Sequence, residues 1–283
     1  CETLLGFSPD FIFTHVTRLV KSKGLWRELE VLYTIEKEFR TQGRTAVLLV
    51  LSTEVSQRRN GDIHKMESAY NWPVAHREGT PDLSGGEAAF YTGVQEFNAR
   101  CRNIKIVFVN QFGFSPANCG RRMPNDMDFM DIRRGSDVEF GQSIYEPFGI
   151  AQLEPLTFGG ICVVGSVCGC AGFVLDVAGA EGAKNIVIAD YTRLNGHETD
   201  KMEDLLKIDD SARREIEQAV SERVAMQVCS RLPKSDAETE DMIKTGYALA
   251  KNMSWDEVVK NHLLPCLQKV LDKSHNLVTC AKT

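Results

Sequence analysis

At 283 residues, 43% of them hydrophobic and 25% charged, the chain has the composition of a globular protein with one large core or two modest ones. A formal net charge of −6 argues against a sequence-blind nucleic-acid binder, which needs a basic face to displace counterions from phosphates. No apolar run approaches the roughly 18–20 residues that span a bilayer, and Cys1–Gly6 carries no sign of a signal peptide.

Nine cysteines are scattered along the chain. Cys168-Gly169-Cys170 is a C-x-C pair without a second pair at zinc-finger spacing, so no metal site is expected. Buried, reduced thiols in a cytoplasmic protein are the simpler reading. The absence of an initial Met and the early first strand point to a piece of a longer protein.

In chain order, Phe11–Val16 reads as a buried strand, followed by the loop Thr17–Gly24. Leu25 to about Gln42 has apolar residues at helical spacing, with Gly43 as its stop. Ala46–Leu51 is a continuous apolar run, as expected for a parallel strand covered on both faces. The polar stretch 52–86 reads as an insertion. Glu87–Cys101 is a predicted helix, Ile104–Val109 a strand, Asp126–Arg134 a helix, and Asp137–Phe140 a short strand. Pro147–Phe158 is predicted helical, Ile161–Ser166 and Asn185–Asp190 are strands, and the chain reads as helical from about Glu198 to Lys273. Ser254 with Glu257 three residues on is a capping box for the closing helix. Strands alternating with helices predict an α/β fold with a doubly wound, mostly parallel sheet, in which ligands bind beyond the carboxyl ends of the strands.

Two such strand-to-helix loops carry chemistry. In Ser143–Glu154, Pro147 suits a first helical position and Gly149 permits close approach to the backbone. The N–H groups of a helix start there would seat a phosphate. Glu146 and Glu154 lie eight apart, about 80° round a helix, so both carboxylates can face one cleft. Two glutamates at that spacing are common by chance and as often solvated. In the first loop, Arg18 and Lys23 lie five residues apart at the end of the first strand, where two cations can neutralise an anion, with Lys21 as a rival for Lys23. Cations in a loop are, equally, ordinary surface.

The string S-x-Y-E-P-F-G-I-x-x-L-E at Ser143–Glu154 resembles the E-x7-E signature of retaining GT-B-fold glycosyltransferases, the group of glycogen and starch synthases and sucrose-phosphate synthase. Val16–Leu25 is similar to that family's S-R-L-x-x-x-K-G-L motif. Gly160–Cys170 is similar to its G-x-P-V-V-x-S-x-x-G-G segment, with Cys162 in place of Pro and Cys170 in place of the second Gly. Met253–Glu257 resembles the family's S-W-e motif, with Trp255 expected in the core.

The resemblance implies a Rossmann-like C-terminal half of a GT-B enzyme over 1–253, a closing helix over 254–283, and no N-terminal acceptor domain in this chain. It implies metal-independent hexosyl transfer, with retention, from a nucleoside-diphosphate sugar to a glycan or other hydroxyl acceptor. Arg18 and Lys23 would hold the diphosphate with the N–H groups of Phe148, Gly149 and Ile150. Glu146 would contact the donor sugar and Glu154 the ribose hydroxyls. No further cofactor is expected, and without its partner domain the chain is expected to be inactive. A non-catalytic nucleotide-sugar or glycan-binding module, and a GT-B-type epimerase, stand as alternatives. G-x-G-x-x-G and P-loop motifs are absent, and Asp137-Val138-Glu139 reads as a strand start more readily than as a D-x-D metal motif.

Overall fold

The computed structural model describes residues 5–54, 68, 83, 85–109, 115–119, 123–179, 183–193 and 201–280. Six strands, β1 Phe11–Thr17, β2 Ala46–Ser52, β3 Ile104–Val109, β4 Val138–Gly141, β5 Ile161–Gly165 and β6 Ile186–Ala189, form one sheet in the order β3-β2-β1-β4-β5-β6. Every pairing is parallel. This is the doubly wound, Rossmann-like arrangement that the alternation predicts.

The sheet forms where the apolar runs fall. In β2, six of seven residues are buried, because helices cover both faces. Helix α1 (Leu25–Gln42) lays Val31, Leu32, Ile35 and Phe39 on the sheet and ends at Gly43, as its periodicity predicts. Phe39 meets Phe11 at 5.7 Å between ring centres, and Phe13 meets Phe140 edge-on at 6.0 Å. Helix α2 (Gly85–Arg100) precedes β3, and α3 (Phe129–Arg134) precedes β4. Helix α3 starts later than expected because Asp128 and Asp131 form a reciprocal capping box. A second core cluster, with Leu156, Cys162, Val164, Cys170 and Val174, joins β5 to α4 (Gly169–Ala178).

Several expectations are corrected. Pro147–Phe158 is not one helix but two 3₁₀ turns, Ile150–Gln152 and Glu154–Phe158. Gly149 takes a left-handed φ of 96°, and Pro155 has no N–H to donate to the Ala151 carbonyl, which is taken by the Arg133 guanidinium instead. The C-terminal helical stretch is broken. Helix α5 (Asp210–Arg231) stops at Leu232-Pro233, and Ser235 caps α6 (Asp236–Asn252). Ser254 accepts the Glu257 N–H at 3.5 Å, opening a short turn that runs through a π-helical stretch into α7 (Leu264–Cys280). Trp255, expected in the core, is 80% exposed. Cys101, Cys162, Cys168 and Cys170 are buried free thiols as expected, whereas Cys266 is exposed. Most of the expected insertion at 52–86 lies outside the described residues. Among the described residues no helix is long and apolar enough to cross a membrane, and no group of three potential ligands is placed to hold a metal.

The topology decides where to look. From β1 the chain winds toward β2 and β3, and from β4 toward β5 and β6, so the loops after β1 and β4 diverge and leave a crevice.

Candidate functional site

The loop after β1 carries Arg18 and Lys23, and the loop after β4 carries Glu146. They meet at this switch point. The Ile144 N–H donates to the Ser22 carbonyl at 2.8 Å, joining the two loops, and Lys23 Nζ hydrogen-bonds the Glu146 carboxylate above that joint. Both side chains keep 19% of their surface exposed. Partial burial, and then the nearby charge of Arg18, hold the Lys23 amine below the usual lysine range, with Cys168 acting in the opposite sense. Arg18 is exposed; its carbonyl accepts from Thr17 Oγ1 and the Val20 N–H, and its guanidinium makes no hydrogen bond or ion pair among the described residues. Lys21 does not reach Glu146; it lines a mostly apolar cavity of about 710 Å³ with Leu19, Trp26, Phe90 and Ile144.

The root of the Glu146 loop is rigid. Arg27 of α1 donates to the Gln142 carbonyl at 3.2 Å, and Tyr191, just after β6, donates to Gln142 Oε1 at 2.7 Å. The Arg27 guanidinium lies 3.9 Å over the Tyr191 ring and pairs with Glu217 of α5 at 3.1 Å. Burial pushes the Tyr191 phenol up to about 12, so it stays a donor. Three elements thus fix the residue from which the loop departs.

The turn Phe148–Ile150 is exposed, with Phe148 and Ile150 at 42% and 71%. The helix start expected there is absent. The nearest real one, at α4, is already occupied by protein: Gly169 N–H donates to the Glu146 carbonyl at 3.2 Å and Cys170 N–H to the Phe148 carbonyl at 2.9 Å. A Cβ at Gly169 would stand 2.1 Å from the Pro147 carbonyl oxygen, so glycine is required for these loops to touch. The glycine of this segment serves backbone packing and holds the Glu146 loop down.

Glu154 opens the second 3₁₀ turn, 38% exposed, with Oε2 3.3 Å from Arg133 Nε. Arg133 is fully buried; it donates to Glu139 Oε2 and to the Ala151 carbonyl, each at 2.5 Å. Glu139, fully buried in β4, also accepts from Thr14 Oγ1 and from the Val16 N–H at 3.1 Å. Burial raises its carboxyl above the usual range, opposed by the charges of Arg133 and His15. Beside it, His15 Nδ1 lies 2.7 Å from Glu28 Oε1, both buried, and desolvation likewise raises Glu28. Sequence reasoning missed Arg133. Its signal was a charged residue on the face of α3 that turns toward the sheet, and nothing in the residue spacing pairs it with Glu139 and Glu154.

No family model and no curated protein matches the chain. Solved structures do. The α,α-trehalose 6-phosphate synthase of Burkholderia multivorans covers 98% of this chain and 45% of its own, at 14% identity and a TM-score of 0.51. The N-terminal domain of Candida albicans trehalose-6-phosphate phosphatase covers 94% and 43%, at 11% identity and a TM-score of 0.53. The likeness is one of fold. The chain spans less than half the length of these structures.

Proposed function

We propose that this chain is the donor-binding part of a GT-B glycosyltransferase. It moves a hexosyl group from a nucleoside-diphosphate sugar to a hydroxyl of a glycan or other sugar, with retention and without a metal. The observation that carries this reading is the meeting of Lys23 and Glu146 at the switch point of the sheet, with Arg18 exposed beside them. Two cations at one crevice suit a leaving diphosphate, whose charge grows as the glycosidic bond breaks.

Lys23 is engaged by Glu146, so an arriving diphosphate draws the amine away and releases the carboxylate next to the donor sugar. N–H groups of the Phe148, Gly149 and Ile150 turn add to the phosphate seat. Glu154 keeps one oxygen on Arg133 and offers the other to the ribose hydroxyls. The acceptor meets a further domain that faces this crevice, as the share of the solved structures left uncovered accommodates. That domain orients the acceptor hydroxyl, a contribution of about 7–11 kcal/mol in well-aligned reactions.

Calorimetry with uridine, adenosine and guanosine diphosphates tests the reading. At least one should bind, and Arg18→Ala and Lys23→Ala should each weaken it by about 1.5–3 kcal/mol, the range for hydrogen bonds to charged groups. Unchanged affinity in both variants removes the diphosphate assignment.

A further inference from the structure

The apolar cavity of about 710 Å³ lies at the carboxyl edge of the sheet, between the starts of α1 and α2, and is separate from the diphosphate seat. Its size is that of a small-molecule site, roughly 300–1,000 Å³. Leu25, Trp26 and Leu29 of α1, Phe90 of α2, and Leu19 and Val20 of the loop after β1 wall it. The α2 side stays open because Gly85, Ala89 and Gly93 put no long side chain into it. A Cβ at Gly86 would stand 2.1 Å from the Leu19 carbonyl oxygen, so the loop after β1 is seated directly on the α2 backbone.

Cavity and crevice are built from the same two loops. Lys21 lines the cavity, and Lys23, two residues on, pairs with Glu146. Ile144 lines the cavity, and its N–H holds the Ser22 carbonyl at 2.8 Å, two residues before Glu146. Val20 and Ile144 are partly exposed, so an apolar path leads from one to the other. The charge on the rim has one sign. The Lys21 amine makes no hydrogen bond or ion pair among the described residues. Arg213 of α5 lies 5.5 Å over the Trp26 ring and 3.6 Å from Glu217, a carboxylate already engaged by Arg27 at 3.1 Å and by Trp26 Nε1 at 2.8 Å. Among the described residues no carboxylate lines the cavity itself.

We propose that this cavity takes the hydrocarbon part of an anionic amphiphile, which is the acceptor and presents its hydroxyl beside Glu146. The acceptor role rests on the donor-binding reading of the crevice; the binding of an amphiphile does not. Apolar burial supplies the affinity, roughly threefold to fourfold for each methylene taken out of water. Lys21 and Arg213 hold the anion that joins the tail to the head. The acceptor oxygen bonds to the anomeric carbon as the bond from that carbon to the diphosphate breaks, and the hydroxyl proton leaves on the departing diphosphate.

Titration calorimetry with hexyl, octyl and decyl phosphates below their micelle concentrations tests this, with octyl glucoside and inorganic phosphate as controls and uridine, adenosine and guanosine diphosphates in parallel. One alkyl phosphate should bind per chain. Affinity should climb by roughly threefold to fourfold per methylene and level off once the tail outgrows the cavity. Inorganic phosphate should not compete with the alkyl phosphate. Octyl glucoside should bind severalfold more weakly than octyl phosphate, and Lys21→Gln should narrow that difference. A nucleoside diphosphate should bind alongside the alkyl phosphate without displacing it. Ala89→Trp, which fills the cavity from the exposed side of α2, should abolish alkyl phosphate binding and leave nucleoside diphosphate binding and the melting temperature unchanged.

Alkyl phosphates that fail to bind, or that bind the Ala89→Trp variant equally well, overturn the proposal whatever the nucleotides do. Concentration-dependent pairing of the chain that Ala89→Trp abolishes, without alkyl phosphate binding, makes the cavity a protein interface and overturns it as well. Alkyl phosphate bound by a chain that takes no nucleoside diphosphate upholds the amphiphile site and sinks the acceptor role together with the donor-binding reading.

Discussion

Glu146 and Glu154 stand eight residues apart and each leans on one cation, yet the two cations differ. Lys23 is a partly solvated amine at the end of a flexible stem, and its pairing with Glu146 has both partners open to water. Arg133 is fully buried and divides its guanidinium among Glu139, the Ala151 carbonyl and Glu154. The first pair keeps part of its surface in water, so a diphosphate that takes over Lys23 strands neither charge in the core. The second has no exit, because a withdrawn Arg133 leaves Glu139 charged or protonated in the core without its donor. On the proposed function, one carboxylate would be released by a ligand and the other held in place for it.

The largest expected effect is at the buried side. Arg133→Met keeps much of the volume but removes every donor. Breaking a buried pair by deleting one partner costs about 3–5 kcal/mol, and urea denaturation should show a loss of that size. A loss below about 1 kcal/mol on the same scale would mean that Arg133 is not the strut described here.

The difference between the two sides also governs what the sequence disclosed. The sheet was legible because Ala46–Leu51 is an unbroken apolar run, β3 is apolar but for Lys105, and α1 is strictly periodic, and local rules decide such elements. The loops that carry Arg18, Lys23 and Glu146 were legible as strand ends at the carboxyl edge of a parallel sheet, where the two charged loops do meet. The turn at Pro147–Phe158 was misread because Pro147 looked like a helix start, while the deciding facts were remote: the Ala151 carbonyl goes to Arg133, and the N–H groups of α4 close on the Glu146 and Phe148 carbonyls. Trp255 misled for a similar reason. A large aromatic predicts burial only when some element packs over it, and among the described residues none does. Residues whose partners are tertiary, Arg133 first among them, carry no periodic signature.

The buried side should also answer to pH. Asp137 immediately precedes β4, two residues before Glu139, and its Oδ2 accepts the Ile12 N–H at 2.7 Å. Burial raises its carboxyl to about 6 despite that bond. A carboxyl with a folded pKa above the unfolded value of 3.8 binds its proton more tightly in the folded state. Its contribution is therefore most favourable below about pH 4 and is lost as pH rises through about 6, a change on the order of 2–3 kcal/mol. Asp137→Asn keeps an oxygen for Ile12 and removes the titration. Melting temperatures of the two proteins should converge near pH 4 and separate by pH 7, the variant melting higher. Parallel curves across that range would place the proton elsewhere, on Glu28 or Glu139.

The smallest effects sit on the two carboxylates themselves, and they should have opposite signs. Glu154→Gln loses the charge that Arg133 orients, and should weaken a nucleoside diphosphate with both ribose hydroxyls by about 1.5–3 kcal/mol while sparing its 2′,3′-dideoxy analogue. Glu146→Gln removes the anion that competes with diphosphate for Lys23. Binding of the nucleoside diphosphate should tighten, by roughly fivefold or about 1 kcal/mol, because the carboxylate that competes for Lys23 is gone. The full nucleotide sugar should gain nothing, since the same substitution removes a charged acceptor for the sugar hydroxyls. Titration calorimetry with both ligands on both variants separates the roles. If Glu146→Gln weakens the diphosphate instead, Glu146 holds Lys23 in its binding position and does not withhold it, and the two sides of the crevice work in the same way.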